Sequence, residues 1–376
     1  MWVRHRALLA AAAGAAGALL AAGAAFAPVA GASTPASFVG GFHKTTTVAS
    51  TVPKNGDLNP YGVALVTRGE GRLYRGDVLV SNFNSSANTQ GTGTTIVEVA
   101  PNHTTKLFAQ ISAANLPGKC PGGIGLTTAL SILPNGWVVV GSLPTTAGDP
   151  ATAKAGCLIV LNSWGRVVET FHGHSINGPW DMTAVGNGKV AALFVTNVLN
   201  GTVAANGKVA HRGTVLRLLV TTPAYGIPKL IAEQTIGSGF GERTDPAALV
   251  IGPTGVGLGH DGTLYVADTL NNRIAAIPDA LLRHGSAGTG RTVSSGGAIN
   301  APLGLVTAPN GDILTVNSAD GNLVETTPYG AQVSVKVLDT SGSPPGAGAL
   351  FGLAVAPHGH GVYYVDDATN TLDLLH

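Results

Sequence analysis

A two-part pattern occurs six times along this 376-residue chain. Each copy begins with a short apolar segment that usually carries Gly. A hydrophobic segment that ends in Asn, Asp or Ser follows roughly 10–20 residues later. The hydrophobic segments cover residues 78–82, 138–142, 193–197, 264–268, 313–317 and 363–367. Their spacing of roughly 50–75 residues is typical of a repeated all-β unit, and such a repeat decides the architecture before any single element does.

Each unit has the pattern of four short strands. In the fourth unit we predict strands over residues 255–258, 263–267 and 273–277, with a fourth near residues 291–294. The Gly-His-Asp-Gly sequence at residues 259–262 supplies residues that suit a tight turn between the first two strands. Four-stranded sheets that repeat radially form a β-propeller, so the sequence predicts an all-β, six-bladed β-propeller.

The two ends of the chain predict how the propeller closes. The sixth unit has three strands and then stops at His376, so its fourth strand is missing. Residues 44–52 precede the first unit and are rich in β-branched residues, which favour strands. We therefore predict that this N-terminal strand completes the last blade, with a single propeller domain over residues 38–376.

Residues 1–32 have the layout of a secretory signal peptide. Arg4 and Arg6 precede a run of Ala, Leu and Gly over residues 7–25, and Ala30-Gly31-Ala32 offers a cleavage site with small residues. The alternative is a retained membrane anchor. No other stretch approaches a membrane span, so we expect a secreted, extracytoplasmic protein with no stable membrane span after cleavage.

Charge and cysteine content narrow the class of protein further. Charged residues make up 11% of the chain and the net charge is +1, with no cluster of basic residues. Nucleic-acid binding needs such a cluster and is therefore not expected. Cys120 and Cys157 suit one disulfide in an exported chain, where the bond would hold a long loop to its blade.

Residues 266–274, Val-Ala-Asp-Thr-Leu-Asn-Asn-Arg-Ile, resemble the core of an NHL repeat. The first, fifth and sixth units match only the Gly-bearing strand and the acidic or amide end of the next strand, and the second and third units depart most. The resemblance implies a six-bladed NHL-like propeller. The broader group is similar to gluconolactonase-like, streptogramin-lyase-like and strictosidine-synthase-like propellers, and it includes scaffolds without catalysis, so the fold alone does not assign a function.

One face of the predicted propeller collects polar residues. Because adjacent strands are antiparallel, the start of each first strand and the end of each second strand lie on the same side. The residues placed there are Asn59, Asn82, Asp181, Asn197, Asp268, Asn317 and Asp366. Their oxygens could hold a divalent cation, Ca²⁺ or Mg²⁺, around the channel mouth. The alternative is that they cap turns through their own side chains.

Long connections in the first three units, over residues 83–93, 143–156 and 198–212, also lie on this face and could form a binding wall. His211 ends the third of these connections and is the candidate for a general base.

Two functions remain open at this point. We expect a secreted, monomeric, non-catalytic binding module for a protein, a glycan or a small polar ligand on the long-loop face. The alternative is an exported metal-assisted hydrolase or lyase that acts on a small polar substrate at the channel mouth.

Overall fold

The computed structural model describes residues 36–173, 175–246 and 248–376. The predicted signal peptide lies outside the described residues. The described chain forms six antiparallel sheets, each built from consecutive strands except at the closure, and its helices are single short turns. The predicted all-β, six-bladed β-propeller is confirmed.

The strands of the six blades follow the chain order. Blade one contains β2 (Leu58–Leu65), β3 (Val78–Asn84), β4 (Thr95–Val99) and β5 (Thr105–Gln110). Blade two contains β6 (Leu126–Leu133), β7 (Trp137–Ser142), β8 (Cys157–Leu161) and β9 (Val167–Phe171). Blade three contains β10 (Gly178–Gly186), β11 (Val190–Val198), β12 (Ala210–Thr221), β13 (Leu230–Asp245) and β14 (Leu249–Ile251).

The remaining three blades are more regular. Blade four contains β15 (Pro253–Leu258), β16 (Leu264–Asp268), β17 (Arg273–Ile277) and β18 (Arg291–Ser295). Blade five contains β19 (Pro302–Thr307), β20 (Ile313–Asn317), β21 (Asn322–Thr326) and β22 (Gln332–Val337). Blade six contains β23 (Leu350–Val355), β24 (Val362–Asp366), β25 (Thr371–Leu375) and β1 (Thr45–Ser50).

The first strand of each blade lines the central channel. These six inner strands contact one another in a closed ring, in the order β2, β6, β10, β15, β19, β23 and back to β2. The contact is close enough to explain the repeated Gly of the sequence pattern. A Cβ atom on Gly304 would collide with the backbone carbonyl of Phe351, and one on Gly352 would collide with the carbonyl of Tyr61. The Gly in this strand is therefore required by the approach of neighbouring blades.

The predicted closure by the N-terminal strand is present. Strand β1 pairs with β25 in antiparallel register, with Thr45 opposite Leu375 and Ser50 opposite Thr371. Val48 adds its side chain to the apolar cluster that also contains Leu372. An N-terminal and a C-terminal strand thus share one sheet, and β25 is paired on both of its sides, with β24 and β1.

The apolar core is divided among the interfaces between blades. Leu79 of blade one packs with Val138 of blade two, and Phe194 of blade three packs with Val266 of blade four, in separate buried clusters. Blades therefore bury their two faces against each other, as expected for a repeat whose single unit cannot form a core.

Blade three departs from the predicted four-strand unit. Its β13 is 16 residues long and turns back into β14, so the sheet has five strands. The extra hairpin brings Asp245 and Ile251 over the channel mouth. Nothing in the four-strand repeat pattern predicts this extension, because its residues fall in the interval between two copies of the pattern.

Cys120 and Cys157 form the predicted disulfide, with their Cα atoms 5.2 Å apart. Cys157 begins β8 and Cys120 lies in the connection before β6, so the bond ties that connection to its own blade. A disulfide indicates an oxidising, extracytoplasmic compartment. Within the ranges described above, no helix has the length and apolar character needed to cross a bilayer.

Candidate functional site

Two cavities lie along the channel. We call the side on which the second strand of each blade ends the upper face, and the opposite side the lower face. A cavity of about 390 Å³ opens at the upper face, and we call it the upper cavity. A second cavity of about 230 Å³ is lined by later residues of the inner strands, and we call it the lower cavity.

The same strands line both cavities at different heights. On β2, Asn59 lines the upper cavity and Val63 lines the lower one, with Tyr61 between them. The ring of Tyr61 stacks on that of Phe83, with centroids 4.4 Å apart. The ring centroid of Trp180 lies 6.3 Å from that of Tyr61. The Nε1 atom of Trp180 donates a hydrogen bond of 3.1 Å to the carbonyl oxygen of Val250 in β14. An aromatic layer therefore fills the channel between the two cavities.

Asp367 is an acidic residue in the wall of the upper cavity. It follows directly after β24, and its backbone N–H donates to the carbonyl oxygen of Ala349 at 2.7 Å, which holds the residue at the cavity wall. Among the described residues, none donates a hydrogen bond to its carboxylate. Burial, together with the charge of neighbouring Asp366, raises the pKa of Asp367 to about 7. A carboxyl group in this state exchanges protons near neutral pH.

Two amide oxygens complete the polar wall. The Oδ1 atoms of Asn59 and Asn84 are buried, and neither has a hydrogen-bond partner within the described part of the chain. Asn59 has a left-handed backbone conformation with φ of 60°, and its N–H donates to Oδ1 of Asn370 at 2.7 Å. The Nδ2 atom of Asn84 donates to Oδ1 of Asn88 at 2.7 Å, which leaves its own Oδ1 as an acceptor. Buried acceptors without a donor cost free energy, so a ligand that supplies donors or positive charge is favoured here.

The long-loop side contributes the rest of this wall. Asn88 and Gln90 come from the connection between β3 and β4, and Asp245 comes from the end of β13. Asp245 forms an ion pair with Arg243, with 2.7 Å between Oδ2 and Nη2. Phe351 and Leu303 supply an apolar floor. Of the three long connections predicted to form a binding wall, residues 83–93 line the upper cavity, whereas residues 143–156 and 198–212 do not. The blade-three hairpin, which was not predicted, supplies the other part of this wall.

Most members of the predicted polar ring use their polar atoms inside their own blades. Oδ1 of Asn197 accepts from the N–H groups of Asn177 and Gly178, at 2.9 and 3.0 Å. Oδ1 of Asn317 accepts from the N–H of Asn300 at 3.1 Å. Nδ2 of Asn82 donates to Oγ1 of Thr95 at 3.2 Å, in the same blade, and to the carbonyl oxygen of Thr51 at 3.1 Å. Oδ1 of Asn82 is buried and has no hydrogen-bond partner among the described residues.

The two acidic members at the ends of second strands behave in the same way. Asp268 is fully buried and pairs with Arg273 at 2.8 Å, while Asn271 donates to both of its oxygens. The NHL-like segment is thus a turn held by its own acid, amide and guanidinium groups. Oδ1 of Asp366 accepts from the N–H of Thr369 at 3.3 Å, and burial raises its pKa to about 6.

Asp181 lines the lower cavity, below the aromatic layer. Its two oxygens accept from the N–H groups of Met182 at 2.8 Å and of Val256 at 3.1 Å, so it links blades three and four. Burial raises the pKa of Asp181 to about 8 in spite of these two donors. Of the seven predicted ring residues, only Asn59 lines the upper cavity. His211 is exposed on β12 and lines neither cavity.

The structure brings Asp367, Asn84 and Asp245 to the upper cavity, and sequence reasoning did not single them out as site residues. The repeat pattern places one Asn, Asp or Ser residue at the end of each second strand, and in the sixth unit two consecutive acids, Asp366 and Asp367, occur there. Asp366 takes the structural place and Asp367 faces the cavity. The double acid was the one available signal, because no other copy of the pattern has it.

Comparisons with known proteins support the fold. No protein-family model matches the chain, and no curated protein matches it. Among solved structures, a gluconolactonase from Xanthomonas campestris aligns with a TM-score of 0.54 and 14% identity, over 88% of each chain. A putative glucose dehydrogenase from Thermus thermophilus aligns with a TM-score of 0.54 and 14% identity, over 89% of this chain and 99% of that one. Regucalcin from Agrobacterium tumefaciens, described as a calcium-binding protein, aligns with a TM-score of 0.51 and 11% identity, over 87% of this chain and 92% of that one.

These structures correct one expectation from the sequence. We expected a non-catalytic binding module, whereas two of the three similar propellers are described as enzymes. The expectation rested on finding no catalytic signature in a linear sequence. A catalytic site assembled from single residues on several blades leaves no such signature, so a missing signature does not exclude an enzyme.

Proposed function

We propose that this protein is an exported enzyme that acts as a hydrolase or a lyase on a small polar substrate in the upper cavity. The observation that carries the proposal is the Asp367 carboxylate, which lines this cavity without a hydrogen-bond donor and has a pKa raised to about 7. Perturbed carboxyl groups in a cleft are typical of acid–base catalysts. Export is supported by the disulfide and by the signal-like N-terminal sequence.

The size and walls of the upper cavity favour a small molecule. Its volume of about 390 Å³ falls within the range of ligand sites. Phe351 and Leu303 form an apolar surface, and the free Oδ1 atoms of Asn59 and Asn84 accept hydrogen bonds. A substrate with hydroxyl groups on one side and a less polar ring face on the other would satisfy both parts.

The oxygens of this cavity also suit a hard divalent cation. Asn59, Asn84 and Asp367 would hold it, through two amide oxygens that lack partners and one carboxylate. Over the described ranges, no three His, Cys, Asp or Glu residues come together as a metal site, so a cation here would depend on the amides. When bound, Ca²⁺ or Mg²⁺ would polarise a substrate oxygen.

Sugar lactones are the first substrates to test, because a gluconolactonase is among the similar structures. In lactone hydrolysis, the ionised Asp367 would take a proton from the attacking water as the new C–O bond forms at the carbonyl carbon. The ring C–O bond then breaks, and the same carboxyl group returns the proton to the leaving oxygen.

The proposal is tested with an acid-release assay on a panel of sugar lactones. We expect Asp367→Asn to lower kcat by about 10²- to 10⁴-fold. We expect wild-type kcat/KM to rise with pH through about 7, as the base ionises. Asp279→Asn, which changes an exposed acid on the lower face, is the matched control and should leave activity unchanged. Full activity of Asp367→Asn against a substrate that the wild type opens would refute the role of Asp367.

A second measurement tests the cation. Ca²⁺ or Mg²⁺ should raise the melting temperature of the wild type, because ligand binding to the native state stabilises it. Asn84→Leu removes one proposed ligand oxygen and should reduce that rise. An equal rise in both proteins would place the cation elsewhere.

A further inference from the structure

Four successive blades each present a large apolar side chain to solvent at the same corner of the lower face. They are Trp164, Tyr225, Leu282 and Tyr329, with exposed fractions of 58%, 94%, 76% and 96%. Each lies in the turn between the third and fourth strands of blades two, three, four and five. The four turns differ in length and sequence, so the shared feature is not a by-product of one repeated turn.

Further apolar side chains accompany two of these residues. Ile227 lies close to Tyr225 in the same turn, and Leu281 precedes Leu282, and both are exposed. Single exposed apolar residues are ordinary, but large ones at one edge of four consecutive blades mark a surface that meets something less polar than water. We call these six residues the lower apolar rim.

The lower face also gathers positive charge that is scattered along the sequence. Its turns and strand ends carry the exposed cations Arg68, Arg75, Arg166, Lys189, Lys229 and Arg291. The exposed acids there are Glu70, Asp261 and Asp279. The net charge of the chain is close to neutral, yet this face is positive, and two of its cations, Arg166 and Lys229, lie two residues from Trp164 and Ile227.

The described chain begins at this face. Nδ2 of Asn310, in the turn after β19, donates to the carbonyl oxygen of Ala36 at 3.2 Å. The next residues are held by Glu325, whose carboxylate accepts from the N–H groups of Phe38 at 2.6 Å and Val39 at 2.9 Å. Ala36, the first described residue, therefore lies at the lower face.

We propose that the lower face binds the surface of an anionic lipid bilayer. Aromatic side chains partition to the interface between headgroups and acyl chains, and aliphatic ones insert among the chains. Flanking Lys and Arg residues attract anionic headgroups. A glycan could stack on the aromatic side chains, but it offers no apolar partner for Leu281, Leu282 and Ile227.

This orientation leaves the upper cavity facing away from the bilayer. Strands β3 and β24, which end at the upper cavity, begin at the lower face, so the two surfaces lie at opposite ends of the channel. Membrane binding and turnover are therefore separable, and the failure of either proposal would leave the other standing.

The experiment is sedimentation of the full chain with vesicles of phosphatidylcholine containing phosphatidylglycerol, and with vesicles of phosphatidylcholine alone. The rim variant combines Tyr225→Ser, Leu282→Ser and Tyr329→Ser. The matched control combines Val209→Ser, Val335→Ser and Val337→Ser, which are exposed apolar residues away from the lower face. All proteins carry the same N-terminal segment, so its own contribution to binding cancels.

We expect tighter binding to the anionic vesicles and a loss of at least about tenfold in the rim variant, with the control like the wild type. Replacement of Lys229 by Glu should cost a further factor of about five or more, and salt should weaken binding. Equal binding by the rim variant and the control would overturn the proposal. So would binding to insoluble polysaccharide without binding to vesicles, or equal binding to neutral and anionic vesicles.

Trp164 gives a local readout that a folding defect would not imitate. It is exposed, whereas Trp137 and Trp180 are buried, and Trp2→Phe removes the remaining tryptophan. Anionic vesicles should shift the emission to shorter wavelength, and brominated lipid should quench it. Trp164→Phe in the same background should abolish both changes. Emission that is unaffected by vesicles in a protein that sediments with them would show that the rim is not the contact.

Discussion

The ring of Tyr61 stacks on that of Phe351, with centroids 3.9 Å apart and planes 23° apart. Tyr61 belongs to the first blade and Phe351 to the last, so the stack crosses the seam where the propeller closes. Strand β1 pairs with β25 of the last blade, and the chain then continues from β1 into β2 of the first blade. The seam is therefore held twice, by this strand at the outside of the propeller and by aromatic contact at its centre.

The stack should contribute strongly to stability. Phe351→Ala removes a largely buried ring and leaves a cavity beside Tyr61, so we expect the free energy of unfolding to fall by about 3–5 kcal/mol. Urea denaturation measures this. Tyr329→Ala removes an exposed ring of similar size and should change the value by no more than about 0.5 kcal/mol. Similar losses in the two variants would mean that the central stack is not a major support.

The inner-strand glycines should tolerate no side chain. Gly304→Ala places a Cβ against the carbonyl of Phe351, where the backbone of the next blade must move. We expect a loss of about 1–3 kcal/mol in the free energy of unfolding, from overpacking. Gly285→Ala is the control, since open space surrounds that position and its φ is not positive. A Gly304→Ala protein as stable as the Gly285→Ala protein would contradict the close approach.

Sequence reasoning reached the fold because the fold depends on periodic features. The Gly-bearing segment, the hydrophobic segment and the β-branched residues 44–52 each predict a strand from local sequence. Their order along the chain predicts that the N-terminal strand closes the propeller. These periodic features do not predict the fifth strand of blade three. It follows from the length of β13, and no turn signal separates it from an ordinary outer strand.

The candidate site could be predicted only in part. The pattern identified which face collects polar side chains, and Asn59 is among them. The pattern could not show which of these side chains form hydrogen bonds or ion pairs within their own blades. That depends on contacts such as those of Asp268 with Arg273 and Asn271. Nor could it separate Asp366 from Asp367, since the choice depends on which of two adjacent residues continues the strand pairing.

The disulfide should stabilise the blade-two connection. Cys120 and Cys157 are 37 residues apart, and replacing both by Ser frees that loop in the unfolded chain. We expect a loss of about 2–4 kcal/mol in the free energy of unfolding. The wild type treated with reductant should match the double variant, and the double variant should not respond to reductant. A stability unaffected by either change would show that the bond does not constrain the unfolded chain.

Asp181 should make stability depend on pH. Its pKa is about 8 in the folded protein and about 4 in an unfolded chain, so folding favours the protonated form. The stabilisation it provides is complete below about pH 4 and is lost as pH rises from 4 to 8, by at most about 1.4 kcal/mol per pH unit. Asp181→Asn cannot ionise and lacks this contribution.

The measurement is urea unfolding of wild type and Asp181→Asn between pH 4 and 8. The stability of the wild type relative to the variant should decline across that interval, so the variant gains on the wild type as the solution becomes more basic. Asp279→Asn, at an exposed position, should run parallel to the wild type. If the Asp181→Asn curve also runs parallel, the carboxylate does not bind its proton more tightly in the folded channel. The hydrogen bonds from Met182 and Val256 would then fully offset its burial.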